Sequence, residues 1–154
     1  MQKIQLFVLV LITFAVIGCG PQGLDTQYVE GIITLDGEPL GGALITFHPV
    51  DREEGKTAAG NSDTSGRFTL TSDGGLPERG ALEGEYVVTI RKVENQTVAD
   101  PRANTPSMQS SRPTEYSVQV VITPRVYSSL GTTPLKATVQ RGRNNLPFEM
   151  TSGR

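Results

Sequence analysis

The chain holds one histidine and one cysteine, and that scarcity limits the chemistry it could perform. Acid–base or nucleophilic catalysis needs a base within hydrogen-bond reach of a nucleophile, usually with a third group orienting the base. His48 ends a strand-like stretch in which Ala43, Ile45 and Phe47 share one face, so it points away from the core, and no cysteine, serine elbow or second histidine accompanies it. A surface or edge role is expected, with no catalytic residue and no enzymatic activity. Asn61, Asp63, Ser65 and Gly66 follow the first half of a calcium loop, but the bidentate glutamate would fall at Ser72. An Asx-type turn is the better expectation. Zinc lacks ligands, so neither metal nor cofactor is expected. Asn95-Gln96-Thr97 matches a glycosylation sequon, a pattern too short to carry weight. There is no Trp, and of the four tyrosines Tyr86 reads as core. Tyr116 and Tyr127 flank a strand and a loop and are the candidate ligand contacts.

Cys19, the only cysteine, cannot form an internal disulfide. Its setting suggests another use. Lys3, the apolar run Ile4 to Ile17 and then Gly18 have the layout of a secretory signal. Val16-Ile17-Gly18-Cys19 resembles the lipobox of bacterial lipoproteins, which implies cleavage between Gly18 and Cys19 and a diacylglycerol on the cysteine sulfur. A membrane-spanning helix is the competing reading, but it needs about 20 apolar residues and this run is shorter. Gly20 stands where Asp would resemble an inner-membrane retention signal, which favours the outer membrane or cell surface over the periplasmic face of the inner membrane.

Removing residues 1–18 from the 154 leaves 136, enough for one domain and a short tether, here placed at residues 19–27. Loss of Lys3 takes the formal charge from −2 to −3, and the remaining Lys and Arg are scattered. Nucleic-acid affinity depends on clustered cations, so nucleic acid is not an expected partner.

From Tyr28 onward, short alternating segments are punctuated by glycine and proline, a strand pattern. The inward sets are Val29, Ile33 and Leu35; Ala43, Ile45 and Phe47; Phe68 and Leu70; Tyr86, Val88 and Ile90; Val118, Val120 and Ile122; Leu135, Ala137 and Val139; and Leu146, Phe148 and Met150. Asp36-Gly37 supplies a tight turn after the first strand. A weaker strand is expected at Lys56 to Asn61, and a single strand at Arg67 to Thr71. Ser72 to Glu83 and Glu94 to Glu115 read as irregular loops, the second a mobile polar insertion containing Pro101, Pro106 and Pro113. Seven or eight strands without helical periodicity predict an all-β fold, an antiparallel β-sandwich over residues 28–151.

Val29 to Phe47, with Asp36-Gly37-Glu38-Pro39-Leu40-Gly41-Gly42 at its centre, resembles the opening of carboxypeptidase regulatory-like domains. Ser62-Asp63-Thr64-Ser65-Gly66-Arg67-Phe68 resembles that family's next turn, and Gly84-Glu85-Tyr86-Val87-Val88-Thr89-Ile90 its tyrosine-bearing strand. Pro124-Arg125-Val126-Tyr127, Thr133-Pro134-Leu135, Val139, Gly142, Asn144 and Phe148 resemble the ending of a bacterial lipoprotein subgroup. The resemblance implies a transthyretin-like Greek-key sandwich, an extracytoplasmic setting and no chemistry of its own. A transthyretin-like hydrolase carries several histidines and a C-terminal Tyr-Arg-Gly-Ser, whereas this chain ends Thr151-Ser152-Gly153-Arg154. A Lys–Asn isopeptide staple of the pilin kind is not expected either, because the first strand has no lysine.

These readings converge on a lipid-anchored, non-catalytic module of the cell envelope. It would meet the membrane through Cys19 and a partner protein through its loops, with a glycan- or small-ligand-binding lipoprotein as the alternative.

Overall fold

The computed structural model describes residues 25–72, 80–99 and 115–153. Gly18, Cys19 and the signal segment lie outside them, as do the centres of the two long loops.

The organising strand is β1 (Thr26–Leu35), whose alternation buries Gln27, Val29, Gly31 and Ile33. Thr26 and Gln27, assigned to the tether by sequence, belong to this strand. Gln27 is held there because its side-chain oxygen accepts from Gly142 N–H at 2.7 Å. β1 ends at Asp36 and Gly37, whose φ angles of 54° and 87° are the left-handed pair a two-residue hairpin needs. The return strand β2 (Glu38–Pro39) pairs with it, and β5 (Arg67–Thr69) and β7 (Ala81–Leu82) also run antiparallel to β1.

On its other edge β1 is flanked by β12 (Arg143–Asn145) and β13 (Phe148–Met150), and both run parallel to it. The fold is therefore not purely antiparallel as expected. The two segments keep one register along β1 and amount to a single interrupted strand. Pro147, which has no N–H to give to a ladder, sits in the gap, where Leu146 N–H still reaches the Glu30 carbonyl at 2.9 Å.

The second sheet has the order β11 (Lys136–Val139), β8 (Gly84–Arg91), β3 (Leu44–Pro49), β4 (Ala58–Asn61), β6 (Thr71–Ser72), all antiparallel. The single strand expected at Arg67 to Thr71 is broken at buried Leu70. β5 pairs in the first sheet and β6 in the second, so the chain changes sheets at that residue.

The inner faces meet in one core, giving a sandwich-like all-β arrangement. Phe68 and Phe148 from the first sheet stack at 6.1 Å between centroids, Phe148 meets Phe47 of the second sheet edge-on at 5.9 Å, and Phe47 lies 5.7 Å from Tyr86. This aromatic row joins the two layers and adds directional contacts to apolar burial. All inward residues expected from the alternation of the two main sheets are in the core or packed against it. A short helix, α1 (Arg125–Ser128), closes the side of β8 and contributes Tyr127 to that core.

Residues 94–115 depart most from expectation. Val93–Ala99 forms β9 and Glu115–Val121 forms β10, and the two pair antiparallel along their whole length, so this region is in part a regular ribbon rather than a loop. Val118 and Val120, expected to point into the core, lie on the ribbon and outside the core cluster.

Candidate functional site

The ribbon grows out of β8. β3 pairs with β8 as far as Leu44 opposite Arg91, and beyond that point β9 pairs, among the described residues, with β10 alone. The base is clamped. Ile122 N–H donates to the Lys92 carbonyl at 2.9 Å, and Lys92 N–H donates to the hydroxyl of buried Thr123 at 3.1 Å. Lys92 pairs with Glu94 at 2.6 Å at the same junction. From there seven residues of each strand, rising about 3.4 Å apiece, carry the ribbon about 20 Å along. Neither strand has its main contacts with a sheet; each packs chiefly on the other.

One face of the ribbon bears Tyr116, Val118 and Val120 opposite Val98, Gln96 and Glu94. Tyr116 is 47% exposed and its direct cross-strand partner Val98 38%. A two-stranded ribbon is marginal alone in water, and unpaired edges are templates for another chain. The arrangement can bind by covering that face or extending either edge.

Tyr127, the other candidate contact, is placed differently. It is only 9% exposed, and its hydroxyl accepts from Thr151 N–H at 3.1 Å, tying α1 to the residue after β13. His48 lies on the outer face of β3, half-buried, with Nε2 3.0 Å from the Thr89 hydroxyl. Desolvation, and then the charge of Arg52, hold its pKa below the ordinary histidine value. Asp63 forms the expected Asx turn: its Oδ1 accepts from Ser65 N–H, Ser65 Oγ and Arg67 N–H at 2.8, 2.7 and 3.0 Å.

No family model, curated protein or solved structure matches this chain.

Among the described residues no three His, Cys, Asp or Glu side chains stand together as metal ligands, and no helix is long and apolar enough to cross a membrane. Among the described residues, clefts on outer faces include two that bear on function. One, of about 600 Å³, runs over the first sheet between Glu30, Arg67, Thr69 and Asn145. The other, of about 470 Å³, lies beside His48 with Arg52, Lys56 and Leu130. Composition masked the ribbon. Its sequence signal is the alternation of Tyr116, Val118 and Val120 after the prolines; β9 has no matching one, since Val93 and Val98 fall on opposite faces.

Proposed function

We propose that this chain is a lipid-anchored, extracytoplasmic β-sandwich that does no chemistry and holds a partner protein of the cell envelope through the β9–β10 ribbon. The observation that carries this reading is the ribbon itself: a paired, clamped extension with its exposed Tyr116–Val98 pair and, among the described residues, both edges unused by the sandwich. Topology agrees with a tethered role. β1 begins beside β7, next to the start of β8, whereas the ribbon leaves from the far end of β8. An anchor on Cys19 would hold the first end at the membrane and direct the ribbon away from it.

The finer fold assignment, a transthyretin-like Greek key of the carboxypeptidase regulatory-like group, belongs to the same proposal. It is supported by where the resembling segments fall: on β1 to β3, on the Asp63 turn and on β8. The residues of the C-terminal segment have structural work consistent with it. Asn144 Oδ1 accepts from Gln140 N–H at 2.9 Å and its Nδ2 donates to the Gln140 carbonyl at 2.8 Å, closing the turn that sets β12 beside β1.

Placement at the outer membrane or surface rests on the signal, and the test is direct. The N-terminal peptide from the membrane fraction is expected to carry a diacylated Cys19, and Cys19→Ala is expected to abolish that modification. An unmodified Cys19 on a protein in the soluble fraction would remove the anchor from the account.

A second reading, a glycan-binding lipoprotein, is favoured by the 600 Å³ cleft, whose rim offers the side chains of Glu30, Asn61, Arg67, Thr69 and Asn145 for hydrogen bonding. Glycan retention lost on Asn145→Ala and Thr69→Ala, in a protein that still folds, would support it. Retention by neither wild type nor variants would dismiss it.

A further inference from the structure

Among the described residues, the cleft beside His48 is lined by three basic side chains and no carboxylate: His48, Arg52 and Lys56, with Thr57 adding a hydroxyl and Leu130 an apolar wall. The same loop carries Glu53 and Glu54, exposed and outside the lining, so the excess of positive charge belongs to the cleft itself and not to the loop as a whole. Its geometry is fixed by the loop between β3 and β4. Asp51 Oδ1 accepts from Glu53 N–H at 2.9 Å, and the Asp51 carbonyl accepts from Gly55 N–H at 3.1 Å, which engages Asp51 in the turn. Gly55 lies flush against Pro49, where any Cβ would run into the proline ring and the Asp51 carbonyl. That close approach folds the loop back so that Arg52 and Lys56 border the same cleft as His48. Across the sheet His48 is level with Val87 and Val87 with Lys136, adding a further cation to that outer face; Glu85 shares the face but does not line the cleft.

The cleft sits at the end of the fold where β1 begins. Pro49 pairs with Tyr86, the Tyr86 hydroxyl donates to the Leu82 carbonyl at 2.9 Å, and Leu82 pairs with Thr26.

We propose that this cleft binds a phosphate group, supplied by headgroups of the membrane in which the chain is anchored. Arg52 presents a planar fork suited to two phosphate oxygens, Lys56 a compact charge, and His48 Nδ1 a further ring nitrogen, since Nε2 is engaged with Thr89. Leu130, exposed on the rim, would lie against the apolar part of a lipid. The choice of headgroup as the source rests on the lipid-anchor reading; the phosphate site itself does not.

The test is an NMR titration of the full chain in uncharged maltoside micelles, following the His48 ring and the Gly55 and Thr57 amides at constant ionic strength. Inorganic phosphate is added in one arm and phosphatidylglycerol doped into the micelles in the other, with chloride and uncharged diacylglycerol as controls. The expected result is saturable shifts in both arms, an upward move of the His48 titration midpoint on binding, and about tenfold weaker binding for Arg52→Gln with Lys56→Gln. A response to inorganic phosphate alone would uphold the phosphate site and overturn its assignment to headgroups. No saturable shift in either arm, or the same shifts in the double variant, would overturn the proposal. Neither outcome depends on whether Cys19 is acylated, so a failed anchor and a failed phosphate site remain distinguishable.

Discussion

Tyr116 on β10 stands directly across from Val98 on β9, and both side chains are exposed although they form the largest apolar pair of the ribbon. The pair joins two strands that the rest of the sandwich does not support, so its contribution is local. Tyr116→Ser with Val98→Ser is expected to speed amide exchange along residues 93–99 and 115–121 while moving global stability by no more than about 0.5 kcal/mol. A fall of the size seen for core substitutions would mean that the ribbon is part of the main folding unit.

Gly31 leaves no room for a side chain in the first sheet. A Cβ there would strike both the Leu146 carbonyl and the Phe68 ring, one on the interrupted β12–β13 strand and one in the aromatic row. Neither can yield without moving backbone or core. Gly31→Ala is expected to cost about 2 to 3 kcal/mol in denaturant unfolding. An unchanged midpoint would contradict the packing described.

Tyr127→Phe separates two uses of that residue. The hydroxyl takes Thr151 N–H, so its removal is expected to cost about 1 kcal/mol and to loosen the chain after β13. If Tyr127 served a ligand instead, binding would weaken with stability intact. Thermal unfolding of the variant distinguishes the two.

Acid should destabilise the fold in two stages. Glu30, hydrogen-bonded to Arg143, Asp36, taking Ser152 N–H, and Asp63, bonded to Ser65, are all held below the ordinary carboxylate range. Each binds protons more weakly folded than unfolded, so its contribution is present above about pH 4 and is lost as pH falls through the lower folded value. His48, depressed chiefly by desolvation, acts in the same direction from about pH 6.5 downward. Unfolding midpoints are expected to be flat above neutrality, to decline gently below about pH 6.5 and to drop below about pH 4. His48→Gln should remove the gentle decline; its persistence would refute the assignment.

The strands of the two main sheets were legible because period-two alternation survives in short segments. Val29 with Ile33, Ile45 with Phe47, and Tyr86, Val88 and Ile90 all face inward as the sequence implied. Asp36-Gly37 was legible because few residue pairs favour that turn. The parallel partners of β1 were not, since Phe148 and Ile33 are joined only after almost the whole domain has been traversed and alternation names no partner. The sheet change at Leu70 was hidden because a buried residue keeps its period on either sheet. The strand through Val118 and Val120 was legible, but its partner β9 and their pairing away from the core were hidden by Pro101, Pro106 and Pro113 and by polar positions such as Asn95, which pair well enough by backbone but do not suggest a buried face. Arg52 and Lys56 read as scattered charges until the Gly55–Pro49 contact brought them to one cleft.

The central claim is that the ribbon is the surface that meets a partner. It is tested most directly by placing a photo-reactive side chain at Gln96 or Tyr116, on the apolar face of the ribbon, or at Glu149, exposed on the first sheet, and irradiating intact cells. The account predicts one discrete envelope-protein adduct from the ribbon positions and none from Glu149. Adducts absent from the ribbon, or identical from all three positions, would contradict it.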